Sequence, residues 1–393
     1  MKRTIKSMDV EGKKVLLRLD LNVPLDTQNH KIIDNNRIMQ SLATINYLCE
    51  KGAKVIVCSH LGRPEGIDKT YSLEIVADAL AKLVKNKVTF ASDTIGNDAK
   101  DKISKMENGD IVVLENLRFD KREEENDEKF AKELASLADL YVLDAFGTAH
   151  RKHASTYGVS KLLPNGVGLL IGKELKGISN VLDNPKRPLV AVLGGAKIED
   201  KIPVIANLIN VADTILIGGG MAYTFVKTSG GEVGQSLVDK SHLKLAKDLL
   251  QKAEEKGVTI VLPIDNVCNL SLDSKEKPKV FPSNAIPSEY MGLDIGKKTI
   301  SLFKKYIKTA GTVAWNGPMG VFEDARYAKG TNKIAKFVAK SRAYTFVGGG
   351  DSVAAVVRSG YAKKINHLST GGGASLKLLE GQRLPGIEVI SEE

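Results

Sequence analysis

Short, near-continuous apolar runs recur along the chain and alternate with segments of helical periodicity. Nine such runs lie at residues 15–19, 55–58, 111–114, 140–143, 190–193, 214–217, 259–262, 312–315 and 344–347. Strands of this kind are typical of parallel sheets that are covered on both faces, and the helices between them supply the cover. The pattern predicts an α/β fold with mostly parallel sheets and helices on both faces.

The length of 393 residues exceeds what one compact core usually supports, so we expect two lobes. Residues 127–138 and 172–183 both place apolar side chains at helical spacing. The second of these segments stops at Asp183-Asn184-Pro185, and a new strand follows Pro188. We interpret residues 172–185 as a helix that connects an N-terminal lobe, residues 1–171, to a C-terminal lobe that begins at residue 186.

Polar residues follow the predicted strands of the first half, at the edge where parallel sheets bind ligands. Asp20 and Asn22 follow the first strand. Arg63, Arg118 and Arg151 follow three other predicted strands, and Arg37 lies at a loop-to-helix junction. One arginine alone is more often part of a structural ion pair. Because guanidinium groups match carboxylate and phosphate oxygens, four at one edge predict a small polyanionic ligand.

Glycine follows the predicted strands of the second half. The runs are Gly194-Gly195-Ala196-Lys197, Gly218-Gly219-Gly220, Asn316-Gly317-Pro318, Gly348-Gly349-Gly350-Asp351-Ser352 and Gly371-Gly372-Gly373. Glycine lets the backbone approach a ligand closely, and free amides at a helix start favour phosphate. Lys197 and Lys201 share a helix face and repel unless an anion lies between them; two solvated lysines are the alternative on spacing alone. Five such loops predict a nucleotide site.

The usual nucleotide signatures are missing from the sequence. There is no G-x-x-x-x-G-K-[ST], and Gly166-Val167-Gly168 is followed by glycine only at Gly172, which breaks G-x-G-x-x-G. A P-loop enzyme and a dinucleotide dehydrogenase therefore both lose support. Since one half presents arginines for an acidic metabolite and the other presents glycines for a nucleotide, we predict phosphoryl transfer across a cleft between them.

Composition further limits the binding partners and the cellular location that we expect. The net charge of +10 permits an anionic partner without identifying it. Aromatic residues are only 5% of the chain and do not interleave with basic residues as in single-strand-binding proteins, so nucleic acid has no support. The three cysteines have no paired spacing, and the six histidines form no zinc pattern. Neither a signal peptide nor a membrane-crossing run is present. We expect a cytoplasmic protein with no membrane or nucleic-acid partner.

Nine motifs stand in order over nearly the whole chain. They are LRLDLNVP at 17–24, SHLGRP at 59–64, ENLRF at 115–119, DAFGTAHR at 144–151, GGAK at 194–197 with Lys201, GGGMA at 218–222, WNGPMGVFE at 315–323, GGGDS at 348–352 and TGGGAS at 370–375. In this order they resemble the phosphoglycerate kinase family, with a specificity far beyond that of any one motif.

The resemblance implies two Rossmann-like lobes joined by the helix at 172–185 and separated by a cleft. The lobe at 1–171 would bind phosphoglycerate, the lobe at 186–374 would bind the nucleotide, and the tail at 375–393 would pack back on the first lobe. The implied reaction is reversible phosphoryl transfer between 1,3-bisphosphoglycerate and ADP, which gives 3-phosphoglycerate and ATP. The family also implies a monomer, hinge bending and Mg²⁺ bound with ATP or ADP.

The resemblance assigns roles to individual residues. The phosphoglycerate residues are Asp20, Leu21, Asn22, Arg37, His60, Leu61, Gly62, Arg63, Arg118 and Arg151. The nucleotide residues are Lys197, Lys201, Gly219, Gly292, Asn316, Glu323, Gly349, Gly350, Asp351 and Ser352, with Asp351 near Mg²⁺. The catalytic candidates are Arg37, Lys201, Gly371 and Gly372. No strong general base is needed, because the reacting carboxylate is already ionised at neutral pH.

The sequence departs from the family pattern at a few positions. Tyr290 stands where tryptophan is common, Lys297 replaces a usual proline and Leu143 a usual asparagine, and residues 266–274 are atypical. Two other functions stay open on sequence alone. An NAD-linked dehydrogenase would prefer NAD to MgADP in a titration, and a basic nucleic-acid-binding protein would bind DNA or RNA with a steep salt dependence.

Overall fold

The structure is a computed structural model that describes residues 2–393. The chain divides into two compact units, one that extends to Leu175 and includes Arg383–Glu393, and one that comprises Lys176–Gln382. Each unit contains one six-stranded parallel sheet with helices around it. The predicted α/β class with two Rossmann-like lobes is confirmed.

The first unit is built on a sheet with a clear switch point. Its strands are β1 (Lys14–Leu19), β2 (Leu25–Asp26), β3 (Lys31–Ile32), β4 (Lys54–Cys58), β5 (Val88–Phe90), β6 (Ile111–Val113), β7 (Leu140–Asp144) and β8 (Asn165–Val167). The sheet order is β5-β6-β4-β1-β7-β8, with every neighbouring pair parallel. Strand order reverses between β1 and β7, and ligands bind α/β sheets at such a point.

Helices cover this sheet: α1 (Asn36–Glu50), α2 (Glu74–Ala81), α3 (Asn97–Ser104) and α4 (Glu128–Ala135). The start of α4 shows how the sequence determines a boundary. The Asp127 carboxylate accepts a hydrogen bond from the backbone N of Phe130 at 2.8 Å, as an N-cap residue does. Phe130 and Leu134 are fully buried, so this helix packs the apolar face that the sequence pattern predicts.

The connecting helix is α5 (Leu169–Leu182). It starts three residues before the predicted segment, because Leu169 N donates to the Thr44 hydroxyl and Ile171 N to the buried Asp144 carboxylate. It ends before Pro185, as expected from the restriction that proline places on the preceding residue. The division between the two units falls inside it, after Leu175.

The second unit has the strand order of a doubly wound nucleotide-binding fold. Its strands are β9 (Leu189–Leu193), β10 (Thr214–Ile217), β11 (Glu232–Val233), β12 (Thr259–Val261), β13 (Asp265–Asn269), β14 (Lys279–Pro282), β15 (Ala285–Ile286), β16 (Met291–Ile295), β17 (Thr312–Asn316), β18 (Tyr344–Gly348) and β19 (His367–Leu368). The main sheet runs β12-β10-β9-β17-β18-β19, all parallel. In sequence order this is 3-2-1-4-5-6, with the switch point between β9 and β17.

Its helices are α6 (Ile202–Leu208), α7 (Ala222–Thr228), α8 (Leu243–Glu255), α9 (Lys297–Thr309), α10 (Lys329–Lys340), α11 (Gly350–Arg358) and α12 (Gly373–Leu379). Strands β13, β14 and β16 form a separate antiparallel sheet. Trp315 on β17 is fully buried in the core of this unit. No helix of residues 2–393 is long and apolar enough to cross a membrane.

The chain end that belongs to the first unit is shorter than the predicted tail at 375–393. Helix α12 stays with the second unit, where Asn207 Nδ2 donates to the carbonyl of Leu379 at 2.9 Å. The returning segment begins at Arg383 and contains α13 (Pro385–Glu388). It is held by backbone bonds such as Gly386 N to the carbonyl of Ala149 at 2.9 Å.

Candidate active site

Three loops of the first unit are tied together at Gly62. The Gly62 N–H donates to Asn22 Oδ1 at 2.8 Å, and its carbonyl accepts from Arg118 Nη1 at 2.6 Å. These bonds join the ends of β1, β4 and β6, which are neighbours in the sheet. Asp20, at the end of β1, accepts a hydrogen bond from Arg37 Nη1 near the start of α1. The predicted substrate residues of four segments are thus held in one place.

His60 lies at the centre of these arginines. The residue is buried, with 5% of its surface exposed. Burial lowers the pKa of His60 well below its usual value, and the neighbouring Arg18, Arg118, Arg37 and Arg151 guanidinium groups lower the pKa further. An imidazole in this setting stays neutral at pH 7, whereas the surrounding arginines keep their charge. The structure therefore presents a strongly cationic pocket around a neutral histidine.

Arg118 retains a donor that no protein group satisfies. Its Nη2 lies 3.0 Å from Glu124 Oε1, while its Nε is buried and has no hydrogen-bond partner among residues 2–393. Burial lowers the pKa of Arg118, and the charges of Arg151, Arg18 and Arg63 add to this effect against the opposing Glu124 carboxylate. Arg63 therefore belongs to the same cluster, and the arginine convergence predicted from sequence is present.

Leu21 and Leu61 have a different setting from the polar residues beside them. Both side chains are fully buried. The N–H of Leu21 donates to Ser59 Oγ at 2.9 Å, and the N–H of Leu61 donates to Asn116 Oδ1 at 3.2 Å. Their amides are therefore engaged within the protein, and these two residues hold the loops that carry Asn22 and Gly62.

Four of the five glycine loops of the second unit line one cavity of about 510 Å³ at the switch point between β9 and β17. Its lining comprises Gly194, Gly195, Ala196, Lys197, Asp200, Lys201, Asn316, Gly317, Pro318, Gly349, Gly350, Asp351, Ser352, Gly372, Gly373 and Leu376. The loops are locked by backbone bonds from Gly194 N to Asn316 O at 2.9 Å and from Gly195 N to Pro318 O at 3.0 Å. Most of the predicted nucleotide residues therefore share one cavity.

The fifth loop, at Gly219, supports this cavity from behind. Gly219 has φ +69°, and a Cβ added there would lie 2.6 Å from both the N and the O of Gly195. Only glycine satisfies this conformation and this close backbone approach. Gly219 N also donates to the carbonyl of Met319 at 3.1 Å, so the residue fixes the loops after β9 and β17 relative to each other.

Lys201 is the half-buried cation of this cavity. Its Nζ donates to Asn316 Oδ1, and Asn316 Nδ2 in turn donates to the Gly348 carbonyl at 3.0 Å. Burial lowers the pKa of Lys201, and the carboxylates of Asp200 and Asp351 oppose that effect. Ser352 Oγ accepts from Gly317 N at 2.6 Å. Lys197 is exposed at the same cavity.

Besides Gly219, three predicted residues lie outside the lining of this cavity. Gly292 on β16 donates its N–H to Ser236 Oγ at 2.9 Å, and a Cβ there would overlap the hydroxyl of Tyr223. Glu323 lines a different groove of about 620 Å³ with Phe322, next to the lysines of α10. The N–H of Gly371 donates to Ser369 Oγ at 3.3 Å.

Comparison with known proteins decides the family. A family model described as "Phosphoglycerate kinase" matches residues 5–382. The chain belongs to the phosphoglycerate kinase family. It is 50% identical over 396 residues to the phosphoglycerate kinase of Clostridium tetani, with 100% of this chain and 98% of the relative covered. The phosphoglycerate kinase of Clostridium novyi gives 50% identity over 396 residues, with 100% and 99% covered.

Solved phosphoglycerate kinases have the same fold. The structure from Coxiella burnetii superposes with a TM-score of 0.92 at 38% identity and covers 100% of this chain and 99% of its own. The structure from Pyrococcus horikoshii gives a TM-score of 0.83 at 33% identity, with 99% and 98% covered. The resemblance seen in the ordered motifs is confirmed.

Three departures from the phosphoglycerate kinase pattern, Tyr290, Lys297 and residues 266–274, fall on or next to β13 and β16, the strand of Gly292, whereas Leu143 is buried on β7 of the first unit. Asn266, in the atypical segment, donates from Nδ2 to the hydroxyl of Tyr223 at 3.0 Å, directly behind Gly292. Tyr290 packs against Phe281 with ring centroids 4.9 Å apart. Lys297 begins α9, where proline is generally favoured, and the Asp265 carboxylate caps this start by accepting from Lys298 N and Thr299 N at 3.0 and 2.7 Å.

Sequence reasoning missed a buried polar network beneath the arginine pocket. Arg18 on β1 is 1% exposed, and its Nε donates to Ser155 Oγ at 2.7 Å. Ser155 Oγ donates to Glu123 Oε1 at 2.5 Å, and Glu123 is fully buried. The available signal was one arginine in the middle of the apolar strand of residues 15–19, because a charge is rarely buried without a partner.

Proposed function

We propose that this chain catalyses reversible phosphoryl transfer between 1,3-bisphosphoglycerate and ADP, giving 3-phosphoglycerate and ATP. The observation that carries the proposal is the pairing of two unlike sites in one family member. One unit has arginines around His60, and the other has four glycine loops and Lys201 around one cavity. The first set suits a small acid with phosphate and carboxylate groups, and the second suits a chain of nucleotide phosphates.

The phosphoglycerate would be held by the polar groups of the first unit. We assign its charged oxygens to Arg37, Arg63, Arg118 and Arg151, and its hydroxyl to Asp20 and Asn22. Arg118 supports this assignment, since its buried Nε has no partner among residues 2–393. An anion that accepts from this guanidinium would satisfy a donor whose desolvation otherwise destabilises the fold.

The nucleotide phosphates would lie in the cavity of the second unit, against the amides at the start of α11 and the Lys201 ammonium. Asp351, in the first turn of α11, is exposed to that cavity. No group of three or more metal-binding side chains occurs in residues 2–393. A single carboxylate, that of Asp351, together with the nucleotide phosphates fits Mg²⁺, which is commonly bound in this way. The ion would neutralise phosphate charge, and Asp351 would hold it.

The chemistry requires little from the protein beyond position and charge. In the direction of ATP use, a carboxylate oxygen of 3-phosphoglycerate attacks the γ-phosphorus, and the bond from that phosphorus to the β–γ bridging oxygen breaks. ADP leaves with the electron pair. The nucleophile is already ionised at neutral pH, so no proton has to be removed. We propose that Arg37, Lys201 and the amides near Gly371 and Gly372 stabilise the charge on the transferring group.

Transfer requires both substrates to meet at one phosphorus, and each unit supplies the contacts of one substrate. We therefore propose that hinge bending near α5 accompanies turnover and excludes water. A decrease in the radius of gyration by small-angle X-ray scattering, seen with both substrates and absent with either one, would support this. We further propose a monomer in the cytoplasm, which suits three cysteines that are buried and unpaired.

The function is tested by replacing one pocket arginine and one matched arginine. Arg37→Ala removes the charge beside Asp20, and Arg187→Ala removes an arginine that pairs with Asp213. We expect turnover to fall by about 10²–10³-fold for Arg37→Ala and to stay nearly unchanged for Arg187→Ala. MgADP affinity should be unaffected by both. A folded Arg37→Ala variant with full turnover would refute the role of Arg37.

A further inference from the structure

Arg18 has all three guanidinium nitrogens engaged within the protein. Its Nε donates to Ser155 Oγ at 2.7 Å, its Nη1 to the carbonyl of Leu19, and its Nη2 faces His60 Nδ1 at 3.3 Å. The side chain is 1% exposed. Arg18 therefore lies behind the ligand-facing arginines, and its contact with the pocket is made through His60.

The buried charge of Arg18 is compensated by Glu123. Glu123 is fully buried, and its two carboxylate oxygens accept from Ser155 Oγ at 2.5 Å and from Ser155 N at 2.9 Å. Ser155 Oγ accepts from Arg18 and donates its single proton to Glu123, so the direction of every bond in the chain is determined. Arg18 and Glu123 are therefore opposite charges that are bridged by Ser155, and loss of one partner of such a buried, hydrogen-bonded pair strongly destabilises a protein.

The contact with Arg18 determines which nitrogen of His60 carries the proton. A guanidinium group has only donors, so Nδ1 must be the acceptor in the 3.3 Å contact. A neutral imidazole has one donor and one acceptor, and the bond made by one nitrogen fixes the state of the other. The proton therefore lies on Nε2, which makes no hydrogen bond to any of residues 2–393.

The charged groups around His60 favour the same neutral form. Burial lowers its pKa well below the usual value, and the Arg18, Arg118, Arg37 and Arg151 guanidinium groups act in the same direction. Protonation of Nδ1 would also remove the acceptor that Arg18 Nη2 uses and bring two cations together. His60 thus remains neutral across the physiological pH range.

We infer that Arg18, anchored by Ser155 and Glu123, is a positioning residue that holds His60 as the neutral tautomer with an Nε2–H donor for an oxygen of the bound acid. The identity of that acid rests on the proposed function, whereas the tautomer does not. His60 then acts as a hydrogen-bond donor and not as a base. With the opposite tautomer, the Nε2 lone pair would face the oxygens of an anion and repel them.

Nitrogen-15 NMR of the labelled protein without substrate tests the tautomer directly. At pH 7, we expect His60 to show a protonated Nε2 and an unprotonated Nδ1, assigned by loss of the signals in His60→Gln. The pattern should not change between pH 5.5 and 8. A protonated Nδ1, or a doubly protonated ring at pH 7, would overturn the inference. This measurement requires neither a folded variant of Arg18 nor catalytic turnover.

Arg18→Lys tests the role of Arg18, because one ammonium cannot reach Ser155, the Leu19 carbonyl and His60 together. We expect a mixture of His60 tautomers and a rise of about 10- to 100-fold in KM for 3-phosphoglycerate, with KM for MgATP unchanged. Arg122→Lys is the matched control, since Arg122 pairs with Asp120 and Glu133. If Arg18→Lys leaves the tautomer unchanged, Arg18 does not set it.

A pair of substitutions at His60 keeps the inference testable if Arg18→Lys does not fold. The amide nitrogen of glutamine takes the place of Nε2, and that of asparagine takes the place of Nδ1. We expect His60→Gln to retain more affinity for 3-phosphoglycerate than His60→Asn, and the reverse order would contradict the inference. Absence of any turnover in the wild-type protein, with the Nε2–H tautomer present, would refute the proposed function alone.

Discussion

Gly219→Ala is the substitution whose effect follows most directly from the backbone of the nucleotide site. The residue has φ +69°, and an added Cβ would lie 2.6 Å from Gly195 N and O and 2.8 Å from the Pro318 carbonyl. All of these neighbours are backbone atoms, so none can move away by a change of rotamer. The left-handed conformation costs alanine about 1–2 kcal/mol, and overpacking adds about 1–3 kcal/mol.

A second glycine separates these two contributions. Gly360 has φ +72° and no atom within 4 Å of an added Cβ, so Gly360→Ala carries only the conformational cost. We expect the free energy of unfolding to fall by about 1–2 kcal/mol for Gly360→Ala and by about 2–5 kcal/mol for Gly219→Ala. Only Gly219→Ala should also weaken MgADP binding, because it displaces the loops after β9 and β17.

Urea unfolding followed by tryptophan fluorescence measures these changes in stability in the second unit, which contains both glycines. The chain has a single tryptophan, and Trp315 is fully buried on β17 beside the cavity. Its emission therefore reports the unfolding of the second unit. Isothermal titration with MgADP gives the affinity of each variant. Equal losses of stability and of affinity in the two variants would refute the close approach of the Gly219 and Gly195 backbones.

Three further predictions concern single groups. Lys201→Met should lower turnover by about 10²–10³-fold, and Lys197→Met, at an exposed position, should lower it much less; equal effects in steady-state kinetics would contradict this. Burial raises the pKa of Asp294 to about 7, so its stabilising contribution is complete below about pH 4 and is lost as the pH rises to about 7. Relative to Asp294→Asn, wild-type stability should fall over this range with a slope approaching about 1.4 kcal/mol per pH unit, and parallel urea profiles would contradict it. The three cysteines are buried, with pKa values raised to about 12 by burial, so they should react with a thiol reagent only after unfolding; reaction in the folded protein would refute their burial.

The elements that the sequence predicted best are those with strong, continuous burial. All nine apolar runs are strands of the two six-stranded sheets. Eight of them are central strands, which are buried on both faces in a parallel sheet, and β12 lies at an edge. The edge strands β5, β8 and β19 were missed, because their sequences, Val-Thr-Phe, Asn-Gly-Val and His-Leu, contain no continuous apolar run. The antiparallel sheet of β13, β14 and β16 was also missed: β14 is largely exposed, so it lacks the continuous apolar pattern.

The residues of the candidate site likewise include some that the sequence predicted well and some that it did not. The glycine loops and pocket arginines follow strand ends, so the rule that ligands bind there located them. Glu323 and Gly292 were taken from the family resemblance alone, and neither lines the cavity that holds the phosphate loops. Arg18 was overlooked because its partners, Ser155 and Glu123, are more than one hundred residues away in sequence, and no periodicity reports such a contact.

The central claim is tested most directly by measuring 3-phosphoglycerate-dependent formation of ADP from MgATP. The acyl phosphate product can be coupled to glyceraldehyde-3-phosphate dehydrogenase and followed as loss of NADH. The account predicts turnover that disappears when 3-phosphoglycerate is left out. Turnover should not return when NAD is supplied in place of MgATP. A folded protein that binds MgATP but never consumes NADH in this assay would contradict the proposed reaction, and another phosphorylated acid would then have to be sought for the arginine pocket.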